Sequence, residues 1–299
     1  MRADSFSARR FWPVAIGGTI TYGAAAYGLY QAWYKNYDLV NFRTFDDSHE
    51  WLQMDKLGHF LTTYSQAGTI YGGARWIGFT PRQSRWTAAL VSSFLQATVE
   101  VMDGFSANWG FSWYDMAANS LGAGLFVAQD ALWAEQRIIL KLSVNMAAYP
   151  TTLLQAANSE ATIPLNVRGG ELHGVSVAER ILKDYNTMTI WASANLKALA
   201  PRGPWPAWLN ISVGHGAANL YGGFENTWTD EAGNTFVLPE AQYPRYRQWY
   251  LAPDVDFSRI PTRRPWLKVV LTTLNFIKAP APALELNGRG RLKFHWLYF

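Results

Sequence analysis

The 299 residues contain no cysteine, which excludes disulfides, a thiolate nucleophile, cysteine-ligated zinc and a thioether-linked lipid anchor within them. Redox chemistry therefore says nothing about compartment. Charge is also scarce: Asp, Glu, Lys and Arg make up 16% of the chain, against roughly a quarter in ordinary globular proteins. The formal net charge is +4 and no Lys/Arg cluster is interleaved with aromatics, so nucleic acid is a poor candidate partner. No G-x-S-x-G, H-E-x-x-H or phosphate-cradling glycine loop occurs. That removes the familiar signatures without removing enzymes in general.

Aromatic residues are plentiful, at 15% of the chain with 15 Trp. Trp and Tyr have an apolar body and a polar tip, which suits the headgroup zone of a bilayer as well as a soluble core. A mean hydropathy of -0.10 excludes a chain embedded in a membrane from end to end. Arg9 and Arg10 precede an apolar stretch from Phe11 to about Tyr34, long enough to span a bilayer at roughly 20 residues. A signal anchor is favoured over a cleaved signal peptide cut near Ala24-Ala25-Ala26. The reason is that Tyr22, Tyr27, Tyr30, Trp33 and Tyr34 form an aromatic rim that a discarded peptide would not need.

Three further apolar segments follow, Gly58 to Phe79, Trp86 to Met102 and Tyr114 to Trp133. Arg9 and Arg10, Arg82 and Arg85, and Arg137 and Lys141 fall on one side of four alternating passes. The Lys/Arg-free loop from Asp103 to Ser112 and the acidic loop with Asp38, Asp46, Asp47 and Glu50 fall on the other. That is the positive-inside pattern, so a four-helix, multi-pass inner-membrane bundle is the leading expectation. A soluble or peripheral four-helix bundle competes, because each segment carries Ser, Thr, Gln or Gly.

Residues 147–186 hold Pro150, Pro164 and Gly169-Gly170 and read as a connector with one or two short helices. Met188 to Leu196, Trp208 to Gly214, Tyr246 to Phe257 and Arg291 to Phe299 alternate with period two and read as strands. In the last, Leu292, Phe294, Trp296 and Tyr298 are expected on one face. An aromatic C-terminus looks like an outer-membrane barrel ending, but four or five strands are fewer than the eight or so a barrel needs. The segment 263–278 has the pattern of an amphipathic helix, lying in a membrane interface or covering the sheet. The expected fold is thus α+β: a membrane-associated four-helix bundle (1–146, motif core 50–130), the connector, and a small antiparallel β-sheet region (187–299).

The ionisable residues of the helices cluster at their ends. Asp55 and His59 share one helical face, Gln96, Glu100 and Asp103 a second, and Asp115, Asn119 and Gly122 a third. Alternating helix directions bring all three faces to one end of the bundle. Asp55, Lys56, His59, Glu100, Asp103, Asp115 and Asn119 are therefore the candidate binding residues, with His59, Glu100 and Asp115 the catalytic candidates. Such a group could hold a divalent cation, bind a polar headgroup or perform acid/base chemistry with His59 titrating. No cofactor or metal is assigned to it, and whether it is catalytic stays open.

Each member also has a structural explanation. Asp55 suits a first helical turn, Asp103-Gly104 a helix end, and Ser112-x-x-Asp115 resembles a capping box. Asn119 with Gly122 and Gly124 permits close helix contact. Glu100, following Leu95, Ala97, Thr98 and Val99, has no capping role. His49, His173, His215 and His295 are isolated or lack ligand spacing.

The order Asp-Lys-x-x-His-Phe, Glu-x-x-Asp-Gly and Trp-Gly-Phe-Ser-x-x-Asp-x-x-x-Asn-x-x-Gly resembles the YfiM-like family of uncharacterised bacterial envelope proteins. The likeness runs from Glu50 to Asp130, with a more distant similarity to VanZ-like membrane proteins. It implies an envelope location and carries Asp55, Lys56, His59, Glu100, Asp103, Asp115 and Asn119 as motif positions, but supplies no reaction. Small members look like lipoproteins; this chain departs from them by lacking cysteine. The β-rich half resembles extensions on Bacteroidetes-type members and keeps an outer-membrane or periplasmic location in view. The functional expectation is an envelope protein binding a lipid or glycan headgroup, with the C-terminal sheet open to an envelope partner. The alternatives are a hydrolase or transferase on a phosphorylated or glycosylated lipid, and a structural adaptor without ligand.

Overall fold

The computed structural model describes residues 5–35 and 38–299, with the backbone alone for Ala32 and Trp33. The fold is α+β, in two compact units: the described residues up to Ser48 with Lys56–Gln136, and His49–Asp55 with Arg137–Phe299.

The first unit holds four helices, α1 (Ala8–Leu29), α2 (Met54–Ile77), α3 (Pro81–Gly104) and α4 (Trp113–Trp133). Local chemistry sets their ends. Thr80 and Gln83 form a capping box ahead of Pro81 at the start of α3, and the Ser112 hydroxyl accepts from Asp115 N at the start of α4. Close approach of α4 to α2 requires glycine at 122, where a Cβ would lie 2.3 Å from Phe60 O.

Helix α3 is inverted in polarity. α3 buries Ser84, Ala88, Ser92, Gln96, Glu100 and Gly104, one stripe at four-residue spacing, while Trp86, Leu90, Phe94 and Val101 are exposed. A water-soluble amphipathic helix does the opposite. Helix hydroxyls return their protons to their own backbone, as in Ser92 to Ala88 O at 2.7 Å and Ser65 to Leu61 O at 2.8 Å.

Among the described residues, no helix is long and apolar enough to cross a membrane, so the expected four-pass inner-membrane arrangement and its transmembrane helices are not supported. The same inward polar stripe explains why, since Ser, Gln and Glu dilute α3 along its whole length. Of the expected rim after α1, the Trp33 side chain lies outside the described residues, and Tyr34 directs its hydroxyl to Asp103.

In the second unit the main sheet is antiparallel and six-stranded, ordered β1-β4-β5-β8-β9-β10. Its strands are β1 (Ile138–Val144), β4 (Met188–Asn195), β5 (Leu209–Ala218), β8 (Tyr246–Val255), β9 (Ala281–Asn287) and β10 (Leu292–Tyr298). Two short pairs accompany it, β2 (Leu153–Gln155) with β3 (Thr162–Pro164) and β6 (Thr227–Thr229) with β7 (Thr235–Val237). Helices α5 (Leu165–His173), α6 (Val177–Lys183), the one-turn α7 (Leu196–Leu199) and α8 (Pro265–Leu274) complete the unit.

Two strands of the main sheet escape sequence reading, as do the short pairs β2-β3 and β6-β7. β1 lies within the stretch 1–146 expected to be helical, and β9 carries Pro282, which disguises it as a turn. β10 also differs from expectation. A register shift between His295 and Tyr298 turns Tyr298 to the covered face, where it is buried, while Trp296 stays exposed. Nor is His295 isolated, since its Nε2 lies 2.7 Å from Glu285 Oε2. α8 buries none of its residues; Asn275 and Lys278 beyond its end are buried instead.

The open face of the sheet is apolar too, although its covered face also holds a core of Trp191, Tyr250, Ala252, Ala283 and Tyr298. Val213, Leu251, Leu284 and Phe294 pair in register across four strands and are all exposed. The covered face holds Lys141, Ser193 and Asp254, with Lys141 Nζ 2.9 Å from Asp254 Oδ2 and the Ser193 hydroxyl donating to the same oxygen at 2.6 Å.

Candidate functional site

The polar stripes of α2, α3 and α4 meet within the first unit. Helical spacing puts Lys56, His59 and Thr63 on one face of α2, places Glu100 at the end of the α3 stripe, and aligns Asp115 with Asn119 on α4. The loop before α2 brings a further member. Residues 38–48 run beside the turn from α3 to α4, through Val40 N to Phe105 O at 2.9 Å and Phe45 N to Phe111 O at 3.0 Å, with a bridge between Thr44 and Phe111. That pairing delivers Asp47 to Ser112.

Lys56 Nζ lies 2.5 Å from Asp47 Oδ2 and 3.0 Å from Asp115 Oδ1. Ser112 is a three-way junction. Its hydroxyl donates to Asp47 Oδ1 at 2.6 Å and accepts from Asp115 N at 3.0 Å, and its backbone N–H donates to Glu100 Oε2 at 3.3 Å. His59 Nδ1 is 3.5 Å from Glu100 Oε1 and 3.3 Å from Asn119 Oδ1, while its Nε2 is 3.8 Å from Asp115 Oδ2. Thr63 donates to Asn119 Oδ1 at 2.8 Å. Glu100 Oε1 and Asn119 Nδ2 are buried and make no hydrogen bond among the described residues.

Burial and crowding of like charge set the protonation states. Glu100 is fully buried, and loss of hydration, reinforced by Asp115 and Asp103, pushes its pKa up to about 9. It is a neutral acid at pH 7. Burial likewise raises Asp115, assisted by Asp47, and takes Asp103 up to about 7 against the hydrogen bond that Tyr34 donates at 2.6 Å. Burial lowers His59, so the imidazole is neutral. Asp47 resists burial: hydrogen bonds from Asp115, Lys56 and Ser112 hold it below the usual range. The group therefore holds a neutral imidazole and a protonated glutamic acid beside the ion pair of Lys56 and Asp47. The His59 side chain retains 21% exposure, against 1% for Glu100, and is the accessible rim of the group.

Residues 44–130 match the model of a family described as a predicted periplasmic lipoprotein (DUF2279). No curated protein and no solved structure matches the chain. The matched stretch includes every residue from Asp47 to Asn119 in the polar group, and it agrees with the expectation of an envelope protein of unassigned function.

Of the seven residues expected from sequence, the structure gathers Lys56, His59, Glu100, Asp115 and Asn119. Asp103 lies one turn from Glu100, engaged by Tyr34. Asp55 is a buried first-turn residue of α2 in the second unit. Sequence reasoning passed over Asp47, counted there as loop charge, and Ser112, read as a cap alone. Only half of a capping box forms at Ser112, so the Asp115 carboxylate is left to face Lys56 and His59. For Asp47 the available signal was a second acidic residue beside Asp46, three residues ahead of Glu50, which does not distinguish a buried carboxylate from a solvated one.

Proposed function

We propose that this is a bacterial envelope protein that works at a lipid surface, where the polar group of its helical unit binds a lipid or glycan headgroup. The observation that carries the reading is the inverted polarity of α3, with Ser84, Ser92, Gln96 and Glu100 inward and Trp86, Leu90 and Phe94 outward. Exposed apolar surface of that extent is costly in water and marks a site of interaction. The outward row Val213, Leu251, Leu284 and Phe294 supports the same reading from the second unit. Attachment through these surfaces suits a chain whose 299 residues offer no cysteine for acylation. Kinship with YfiM-like and, more distantly, VanZ-like proteins belongs to the same proposal and rests on the Asp-Lys-x-x-His, Glu-x-x-Asp and Asp-x-x-x-Asn order.

The purified chain is expected to co-sediment with vesicles of phosphatidylethanolamine and phosphatidylglycerol, and Leu90→Glu with Phe94→Glu to release it. A wild-type chain left in the supernatant overturns the reading.

A second reading, a hydrolase or transferase on a phosphorylated or glycosylated lipid, draws support from the protonated Glu100 beside a neutral, partly exposed His59. Lys56 is paired with two carboxylates, which counts against a role on phosphate. Lipid profiles of a deletion strain complemented with Glu100→Gln or His59→Ala decide it. Full rescue by both, at equal protein level, removes catalysis.

A further inference from the structure

We infer that His59, Glu100 and Asp115 form a binding site for one divalent transition-metal ion. The inference rests on the polar-site reading above and names its ligand class; it does not depend on lipid attachment.

Each of the three residues offers one ligand atom, and these atoms lie within 4.8 Å of one another. A tetrahedral ion with bonds of about 2.1 Å holds its ligands about 3.4 Å apart. His59 Nδ1 and Glu100 Oε1 already stand at 3.5 Å; Asp115 Oδ2 lies 3.8 Å from the other ring nitrogen, Nε2, so binding at Nδ1 requires the ring to rotate or Asp115 to swing to that edge.

A second, independent observation points to a ligand. Glu100 is fully buried, and its Oε1, aimed at His59, has no hydrogen-bond partner. An unpaired buried carboxyl oxygen is expensive, and an ion that displaces the Glu100 proton supplies the missing partner. Nearby charge is arranged to permit this. Lys56 is held by Asp47 and by the other oxygen of Asp115, leaving Asp115 free to bridge ammonium and ion. One imidazole with two carboxylates is a donor set for zinc, manganese or iron rather than for calcium or magnesium, which favour oxygen alone. The partly exposed His59 gives the ion a way in.

The test uses the full chain, stripped with a chelator and dialysed to equilibrium against Zn²⁺ or, separately, Mn²⁺, with elemental analysis of the bound ion. One ion per chain is expected, weakened roughly tenfold or more by Glu100→Gln and by His59→Ala. Asp130→Asn, a buried carboxylate near the far end of α4 that pairs with Arg85, should bind as wild type. Glu100→Gln preserves shape, and far-UV circular dichroism checks that each variant is folded. No bound ion, undiminished binding by folded Glu100→Gln, or equal loss in folded Asp130→Asn overturns the inference. Vesicle association of the stripped chain is measured in parallel. Association without ion binding removes the metal site and leaves the lipid-surface reading; ion binding without association does the reverse.

Discussion

Glu100 Oε1 faces His59 Nδ1 across 3.5 Å at the end of a buried polar stripe, and among the described residues no group completes that oxygen's hydrogen bonding. The relationship joins the polar stripe of α3 to α2, whose buried face is mainly apolar.

In the ion-free protein Glu100 makes stability depend on pH. Its carboxyl titrates near 4.5 in the unfolded chain and about 9 in the folded one. A raised folded value means that the contribution is fully present below 4.5 and is lost as pH rises toward the folded value. The slope is at most about 1.4 kcal/mol per pH unit for one proton. Glu100→Gln should flatten that slope and make the protein more stable than wild type at alkaline pH. Denaturant titrations of both proteins from acid to alkaline pH check this, and parallel slopes refute it.

Tyr34→Phe removes the only donor described for Asp103 Oδ1. Because the Tyr34 bond opposes the upward pull of burial on Asp103, its loss should move that pKa above about 7 and cost about 1.5–3 kcal/mol while Asp103 is ionised. Carbon NMR of the Asp103 carboxyl reads the first effect and urea denaturation the second.

Gly122 and Gly124 form a controlled pair. A Cβ at 122 would meet Phe60 O at 2.3 Å, whereas one at 124 meets nothing within 4 Å. Gly122→Ala should destabilise by about 1–3 kcal/mol. Gly124→Ala should gain up to about 1 kcal/mol from helix propensity. Thermal unfolding of the two variants should shift in opposite directions.

In the second unit, Lys141→Met leaves Asp254 buried beside Ser193, with Lys278 Nζ at 3.9 Å. Breaking a buried pair from one side costs about 3–5 kcal/mol. Adding Asp254→Leu should recover part of that loss, and a double-mutant cycle measures how much.

The helices were legible because their apolar runs are long and end in recognisable signals such as Thr80-Pro81 and Ser112. Their surroundings were misread. Hydropathy reports how apolar a segment is but not which face is turned inward, so α3 read as a membrane span when its polar stripe keeps it below that threshold. Strands β4, β5, β8 and β10 declared themselves by alternation. β9 did not, because Pro282 interrupts the pattern, and the bulge at the end of β10 reversed the side on which Tyr298 lies. At the site, helical spacing was enough to align His59, Glu100 and Asp115. It could not supply Asp47, which arrives by backbone pairing of a loop that has no periodicity to read.

The order of the main sheet follows the order of the chain, each strand pairing with the one before it in the series β1, β4, β5, β8, β9, β10. Nothing has to thread or cross over, so the sheet can grow by successive addition, with its widest loop between β1 and β4 adding only slowly to the entropy of closure. Asp254 arrives on β8, and until then Lys141 on β1 must keep its ammonium in water. Pairing of β8 is therefore what lets the sheet exchange hydration of Lys141 for an internal ion pair.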